Sequence, residues 1–288
     1  MNQIPYDEFS LRGETGAQAP MTFVDAAGTR IAVMRRGRGI PLVCLHAIGH
    51  GARDFEALAE RAGDAFETIA IDWPGQGRSP DDGIAPTPEH YADIVVSMLD
   101  AMAIDKPILL GNSIGGATAL LVAANHGDRV RALVLCNAGG LFAITPFARF
   151  LIGRFVAFFR AGERKKRWFS RAFRFYYSRV VLTGAPARAQ CERIIAAGYE
   201  IAGALRRGWE GFARPEADLR ALVSSVSVPV WLAWAKGDRL LSWSAAKPVA
   251  QRFPVHEVTL FNGGHAAFLE DPDRFAQGLR VFVRKHSL

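Results

Sequence analysis

The sequence predicts an α/β protein, a mostly parallel β-sheet flanked by helices with one helical insertion. Three observations carry that prediction. Short apolar runs rich in Val, Ile and Leu alternate with helical patterns along most of the 288 residues. The alternation breaks once, from Phe142 to about Gly211, where helical periodicity continues with no strand candidate. The stretch from Ile108 to Gly116 joins a buried-strand pattern to a helical one through a glycine-rich turn. The expected division is residues 20–140 plus 213–288 as the α/β domain, 141–212 as the insertion and 1–19 as an N-terminal extension.

The elements follow in order. Met21 to Ala26 and Thr29 to Arg35 read as an antiparallel hairpin around Gly28. Pro41 to His46 is a continuous apolar strand, and Asp54 to Ala62 is helical in pattern. Glu67 to Trp73 is a strand that closes into Pro74-Gly75-Gln76-Gly77-Arg78-Ser79. Thr87-Pro88-Glu89 opens a helix reaching about Met102, with threonine as N-cap and proline at the first helical position. Pro107 to Leu110 is a buried strand, Ala117 to Ala124 lies in a helix, and Val130 to Asn137 is the next strand. Beyond the insertion, Val228 to Ala235 and His256 to Phe261 are strands, and Ser242 to Phe253 and Pro272 to Arg284 are helices.

Composition narrows the function classes. No apolar run reaches bilayer length without a charge, and Met1 to Pro20 carries no hydrophobic stretch of signal-peptide type. Cys44, Cys136 and Cys191 lack metal-type spacing, which points to core thiols in a reducing compartment and a cytoplasmic protein. The net charge is +7, yet Leu141 to Thr183 alone holds eight arginines, two lysines and one glutamate. That is a balance of +9, which leaves the rest near −2, so the basic character belongs to the insertion.

Gly111-Asn112-Ser113-Ile114-Gly115 has the pattern of a nucleophile elbow, a serine on a strained strand-to-helix turn. The sharp turn brings the residues two before and two after the serine together, so both must lack a bulky Cβ substituent. The following helix points backbone N–H groups at any anion formed above the hydroxyl. A serine needs a base, and the base needs an orienting carboxylate. In a parallel sheet such groups belong on loops at the carboxyl ends of strands. Asp238 and His265 sit on two such loops, in the chain order Ser…Asp…His.

With LHAIGHG after the third strand, DWPGQGRS after the fourth, GNSIGG at the elbow, GD at 237–238 and GGHAAFLEDPDRF near the C-terminus, the chain resembles the α/β-hydrolase family from about Thr22 to Lys285. The resemblance implies a largely eight-stranded α/β-hydrolase fold with a helical cap. It implies Ser113 as nucleophile, His265 as general base and then acid, and Asp238 as the orienting carboxylate. It also implies an oxyanion hole built from the backbone N–H groups of Ile114 and Ile48. The family usually shows His-Gly at the oxyanion loop, where this chain has His46-Ala47, so Ile48 competes with Gly49 for that role. The implied activity is hydrolysis of a carboxylic ester or thioester of a hydrophobic small molecule. Cleavage of a C–C bond beside a ketone, as in meta-cleavage-product hydrolases, and a non-catalytic ligand- or membrane-binding module are the alternatives.

Other features read as structural. His46 and His50 order a loop, Asp72 stabilises a turn, and Glu270 caps the last helix. No phosphate loop, cofactor box, metal-ligand set or nucleic-acid motif stands out, so no cofactor, metal or nucleic-acid partner is expected. In the insertion, aromatics recur at helical spacing with interleaved arginines. Most should be core. Phe142, Phe147 and Phe150 are candidates to line an apolar substrate pocket, and the basic aromatic surface is a candidate for contact with anionic membrane.

Overall fold

The structure, a computed structural model, describes residues 21–288. The expected N-terminal extension and the reading of Met1 to Pro20 lie outside the described residues. Eight strands form one sheet: β1 (Met21–Ala26), β2 (Thr29–Gly37), β3 (Ile40–Leu45), β4 (Phe66–Ile71), β5 (Ile108–Ser113), β6 (Ala132–Ala138), β7 (Val230–Ala235) and β8 (His256–Phe261). Their order is β1-β2-β4-β3-β5-β6-β7-β8. β2 runs antiparallel to β1 and β4, and every later pairing is parallel. Parallel strands joined by helical crossovers are covered on both faces, and β5, β6 and β7 are buried along their whole lengths.

The covering helices are α1 (Glu56–Ala62), α2 (Pro88–Ala101) and α3 (Ile114–Asn125), then α4 (Pro146–Glu163), α5 (Phe169–Tyr176), α6 (Arg188–Ala196) and α7 (Gly198–Phe212), then α8 (Trp243–Ala250), α9 (Ala267–Glu270) and α10 (Pro272–Lys285). Helix α2 starts where its capping signal placed it, with the Thr87 hydroxyl accepting from the His90 N–H at 3.3 Å. Two helices differ from the periodicity. The pattern from Asp54 opens as a 3₁₀ turn, Ala52–Phe55, because the Asp72 carboxylate holds the Ala52 N–H at 2.7 Å. Helix α8 stops at Ala250, shortly after Pro248, which supplies no N–H to the helix.

Sheet topology decides where a site can form. From β3 the chain crosses to β4 on one side, and from β5 it crosses to β6 on the other. Adjacent strands whose connections diverge leave a crevice beyond their carboxyl ends. Leu45 and Gly111 are register partners at that point, so the loop after β3 and Ser113 flank the same crevice.

Between β6 and β7, α4 to α7 build a helical segment whose aromatics pack mainly on one another. Phe159, Phe169 and Phe173 are fully buried, and Phe155 stacks on Trp209 with centroids 4.1 Å apart. A π-helical turn, Tyr177–Val181, follows α5; no periodicity in the sequence announced it.

The elbow is the tightest point of the fold. A Cβ on Gly111 would lie 2.2 Å from the Gly115 carbonyl oxygen, and one on Gly115 would lie 2.2 Å from the Leu45 carbonyl oxygen. Backbone, not a flexible side chain, blocks both. Gly115→Ala should therefore destabilise the protein by about 1–3 kcal/mol or more, read as a lowered urea midpoint with an unchanged m-value.

Candidate active site

Ser113 ends β5 and precedes α3, with φ 56° and ψ −117°. A non-glycine residue held at positive φ is strained, and the surrounding glycines and buried strands hold it there. Its hydroxyl makes no hydrogen bond among the described residues. Asp238 lies beyond β7 and His265 beyond β8, both buried. His265 Nδ1 is 2.8 Å from Asp238 Oδ2. An ionised carboxylate only accepts, so Nδ1 carries the proton and Nε2 is left as an acceptor in the neutral ring. Ser113 and His265 line one cavity of about 30 Å³ beneath the helical segment.

The Asp238 carboxylate is itself held on both oxygens. Asn137 Nδ2 donates to Oδ2 at 2.6 Å, and the N–H groups of Leu240 and Leu241 donate to Oδ1 at 2.8 and 3.0 Å. Burial pushes its pKa up. The His265 ring and these backbone donors outweigh that push, and the carboxyl titrates below the usual 3.8. Asn137 is held in turn, its Oδ1 accepting from the Ala235 N–H at 3.1 Å.

Ala47 and Ile48 bring the loop after β3 to the same cavity. The Gly49 N–H donates to Gln76 Oε1 at 2.6 Å, whereas the Ile48 N–H has no partner among the described residues. His46 is sealed beneath this loop. Its Nδ1 donates to the Ala47 carbonyl at 2.7 Å and its Nε2 accepts from the Trp73 N–H at 3.1 Å. Burial lowers its pKa, so it stays neutral. Asp72 ties the loop down through the Ala52 and Arg78 N–H groups, at 2.7 and 2.9 Å.

The model of the Alpha/beta hydrolase family matches residues 42–278. The chain belongs to the alpha/beta hydrolase family. It is 30% identical over 253 residues to a pimeloyl-[acyl-carrier protein] methyl ester esterase of Xanthomonas campestris, covering 86% of this chain and 96% of that one. It is 28% identical over 275 residues to a 2-hydroxymuconate semialdehyde hydrolase of Pseudomonas putida, covering 90% and 92%. A thermophilic esterase from Thermogutta terrifontis superposes with a TM-score of 0.79 at 21% identity, covering 93% of this chain and all of that one. Both of these curated relatives are hydrolases by name, and at that coarse level the chain is an alpha/beta hydrolase.

The remaining cavity wall combines Tyr176 and Tyr177, from the aromatic run interleaved with arginines, with Val181, Leu205, Trp209 and Phe212, which the sequence did not mark. All of them descend from the helical segment. Phe142, Phe147 and Phe150 do not line this cavity. Phe147 and Phe150 are 69% and 64% exposed, because α4 turns Ile152 and Phe159 inward instead. Among the described residues no group of three or more His, Cys, Asp or Glu side chains could hold a metal ion.

Glu270 is not a helix cap. Its carboxylate accepts from the N–H groups of Gly264 at 2.7 Å and Thr183 at 2.9 Å, from the Thr183 hydroxyl at 3.2 Å, and from the Gly184 N–H. Burial raises its pKa against these donors. It joins the loop carrying His265 to the end of the π-helical turn. That turn also accepts the His265 N–H at the Val181 carbonyl, 2.7 Å away. Asn112, inside the elbow, donates to the His265 carbonyl at 2.9 Å.

A carboxyl whose folded pKa lies below its unfolded value adds stability that is fully present above 3.8 and is lost as pH falls through the folded value. Asp238→Asn should cost about 1–3 kcal/mol at pH 7. Urea midpoints at pH 7 and pH 3 should show that cost shrinking at the lower pH.

Proposed function

We propose that the chain is a serine hydrolase acting on a carboxylic ester or thioester of a small molecule with a hydrophobic part. One observation carries this reading: Ser113, on a strained elbow, shares a buried cavity with His265, whose far nitrogen is held by Asp238. Ser113 Oγ attacks the substrate carbonyl while His265 Nε2 takes the hydroxyl proton. Asp238 keeps the ring in the required tautomer and favours its charged form. The N–H groups of Ile114 and Ile48 stabilise the tetrahedral oxyanion; Gly49 is unsuited because Gln76 occupies its N–H. His265 returns the proton to the departing alcohol or thiol. It then activates a water that releases the acyl group from Ser113. The apolar wall of Leu205, Trp209 and Phe212 favours a hydrocarbon portion beside the scissile carbonyl.

A fluorophosphonate should label Ser113, and Ser113→Ala should lower kcat for p-nitrophenyl butyrate by at least about 10⁴-fold with the fold intact by circular dichroism. Wild-type turnover in that variant ends the reading. Turnover of a dienoate ketone with none of simple esters transfers the same residues to C–C bond hydrolysis. A binding role alone is left if no label is taken up.

A second reading rests on the exposed end of α4. Phe147, Phe150 and Leu151 face solvent with Arg149 among them, an apolar edge beside cationic side chains. Such an edge suits the headgroup region of an anionic bilayer. Flotation with phosphatidylglycerol vesicles should recover the protein at low salt and lose it at high salt. Phe147→Ser with Phe150→Ser should reduce recovery, and absence of binding at low salt removes this reading.

A further inference from the structure

The cavity over Ser113 has a volume of about 30 Å³, room for one or two water molecules, so a group entering it meets the whole of its wall. The side chains around Ser113 and His265 are aliphatic or aromatic except for one further imidazole, that of His50. Hydrolysis of an ester needs one histidine base, and His265 supplies it. His50 is left for another task.

The His50 side chain is 1% exposed, and its Nδ1 is 2.5 Å from Asp54 Oδ2. An ionised carboxylate only accepts, so Nδ1 carries the proton and, in the neutral ring, Nε2 is an acceptor. The other Asp54 oxygen accepts from the Gln190 side-chain amide, which fixes the pair from behind. His50 Nε2 has no hydrogen-bond partner among the described residues. Beside it stands Tyr177, buried, with the two ring centroids 5.9 Å apart. The Tyr177 hydroxyl is also without a partner among the described residues. Burial raises its pKa, so it stays protonated and can donate. Among the described residues, the unpartnered side-chain polar atoms that are fully sealed are Thr68 Oγ1 and Asn112 Oδ1. Neither His50 Nε2 nor Tyr177 Oη is one of them, so each keeps an opening to a hollow. His50 borders a second hollow as well; of the two, Tyr177 lines the cavity over Ser113.

We propose that His50 Nε2 and the Tyr177 hydroxyl form a subsite for a hydroxyl group that the substrate carries close to its scissile carbonyl. This rests on the serine-hydrolase reading above and adds a substrate class to it, the hydroxy esters. A hydroxyl donates to Nε2 and accepts from Tyr177, and so satisfies both atoms at once. A methyl group in its place leaves both unpaired against hydrocarbon, and an unmet polar group in a buried site is costly. The hydroxyl can belong to the acyl part or to the alcohol part of the ester.

Two isosteric pairs of esters separate those sources. Methyl 3-hydroxybutyrate against methyl 3-methylbutyrate places the change in the acyl part. The pair 2-hydroxyethyl butyrate and propyl butyrate places it in the alcohol part. A ratio of kcat/KM within one pair cancels any difference in folded fraction between variants. In wild-type protein one pair should favour the hydroxy ester at least about tenfold. Tyr177→Phe removes one oxygen that holds no partner in the fold, and should lower that ratio at least about threefold. His50→Leu removes the acceptor and should bring the ratio close to one. Ratios near or below one for both pairs in wild-type protein, or a preference that Tyr177→Phe leaves intact, overturn the subsite. If Ser113 still takes a fluorophosphonate label, the serine reading stands. Wild-type protein that takes no label and turns over none of the four esters overturns both.

Discussion

The close approach of β5 and α3 to β3 is the constraint on which the rest of the molecule depends. At Gly111 and Gly115 the backbone passes so near other backbone that no Cβ fits. This contact forces Ser113, which lines the cavity, into positive φ. It also sets the Leu45–Gly111 pairing beside which Ala47 and Ile48 reach the cavity. A strained residue persists only where its neighbours over-determine it. Here the neighbours are buried parallel strands on both sides of β5.

His265 is fixed by a different device, a set of hydrogen bonds from four parts of the chain. Asp238 holds its ring, the Val181 carbonyl its N–H, Asn112 its carbonyl, and Glu270 the glycine before it. Each partner is buried or half-buried, where an unmet polar group is costly, so the loop has little freedom to wander. Two of these contacts reach the helical segment. The position of the imidazole and of the cavity roof are thereby linked, since Glu270 and Val181 serve both.

The site is polar behind and apolar above. Behind the imidazole, Asp238 and Asn137 form a satisfied buried network that keeps the carboxyl ionised. Above it, Leu205, Trp209 and Phe212 give the cavity an apolar roof. A second buried imidazole–carboxylate pair, His50 with Asp54, stands in the wall of the same cavity and ties the loop after β3 to α6.

By itself the sequence determined the α/β alternation, the elbow and the order of its chemical groups. Those signals are local: a period of two or 3.6, a cap at Thr87, glycines spaced about Ser113, and an acid and an imidazole each one turn beyond a strand. Tertiary structure alone decided the cavity wall, the partners of Glu270 and the place of His50. Helical spacing marked Phe147 and Phe150 as strongly as Phe159, yet which face of α4 turns inward depends on α5 and α7 packing against it. Glu270 read as a cap because it precedes a proline-led helix, but its acceptors' donors lie 87 residues away at Thr183 and close by at Gly264. Contacts across such separations leave no periodic trace in a chain, because they are chosen by which surfaces meet after the local elements have formed.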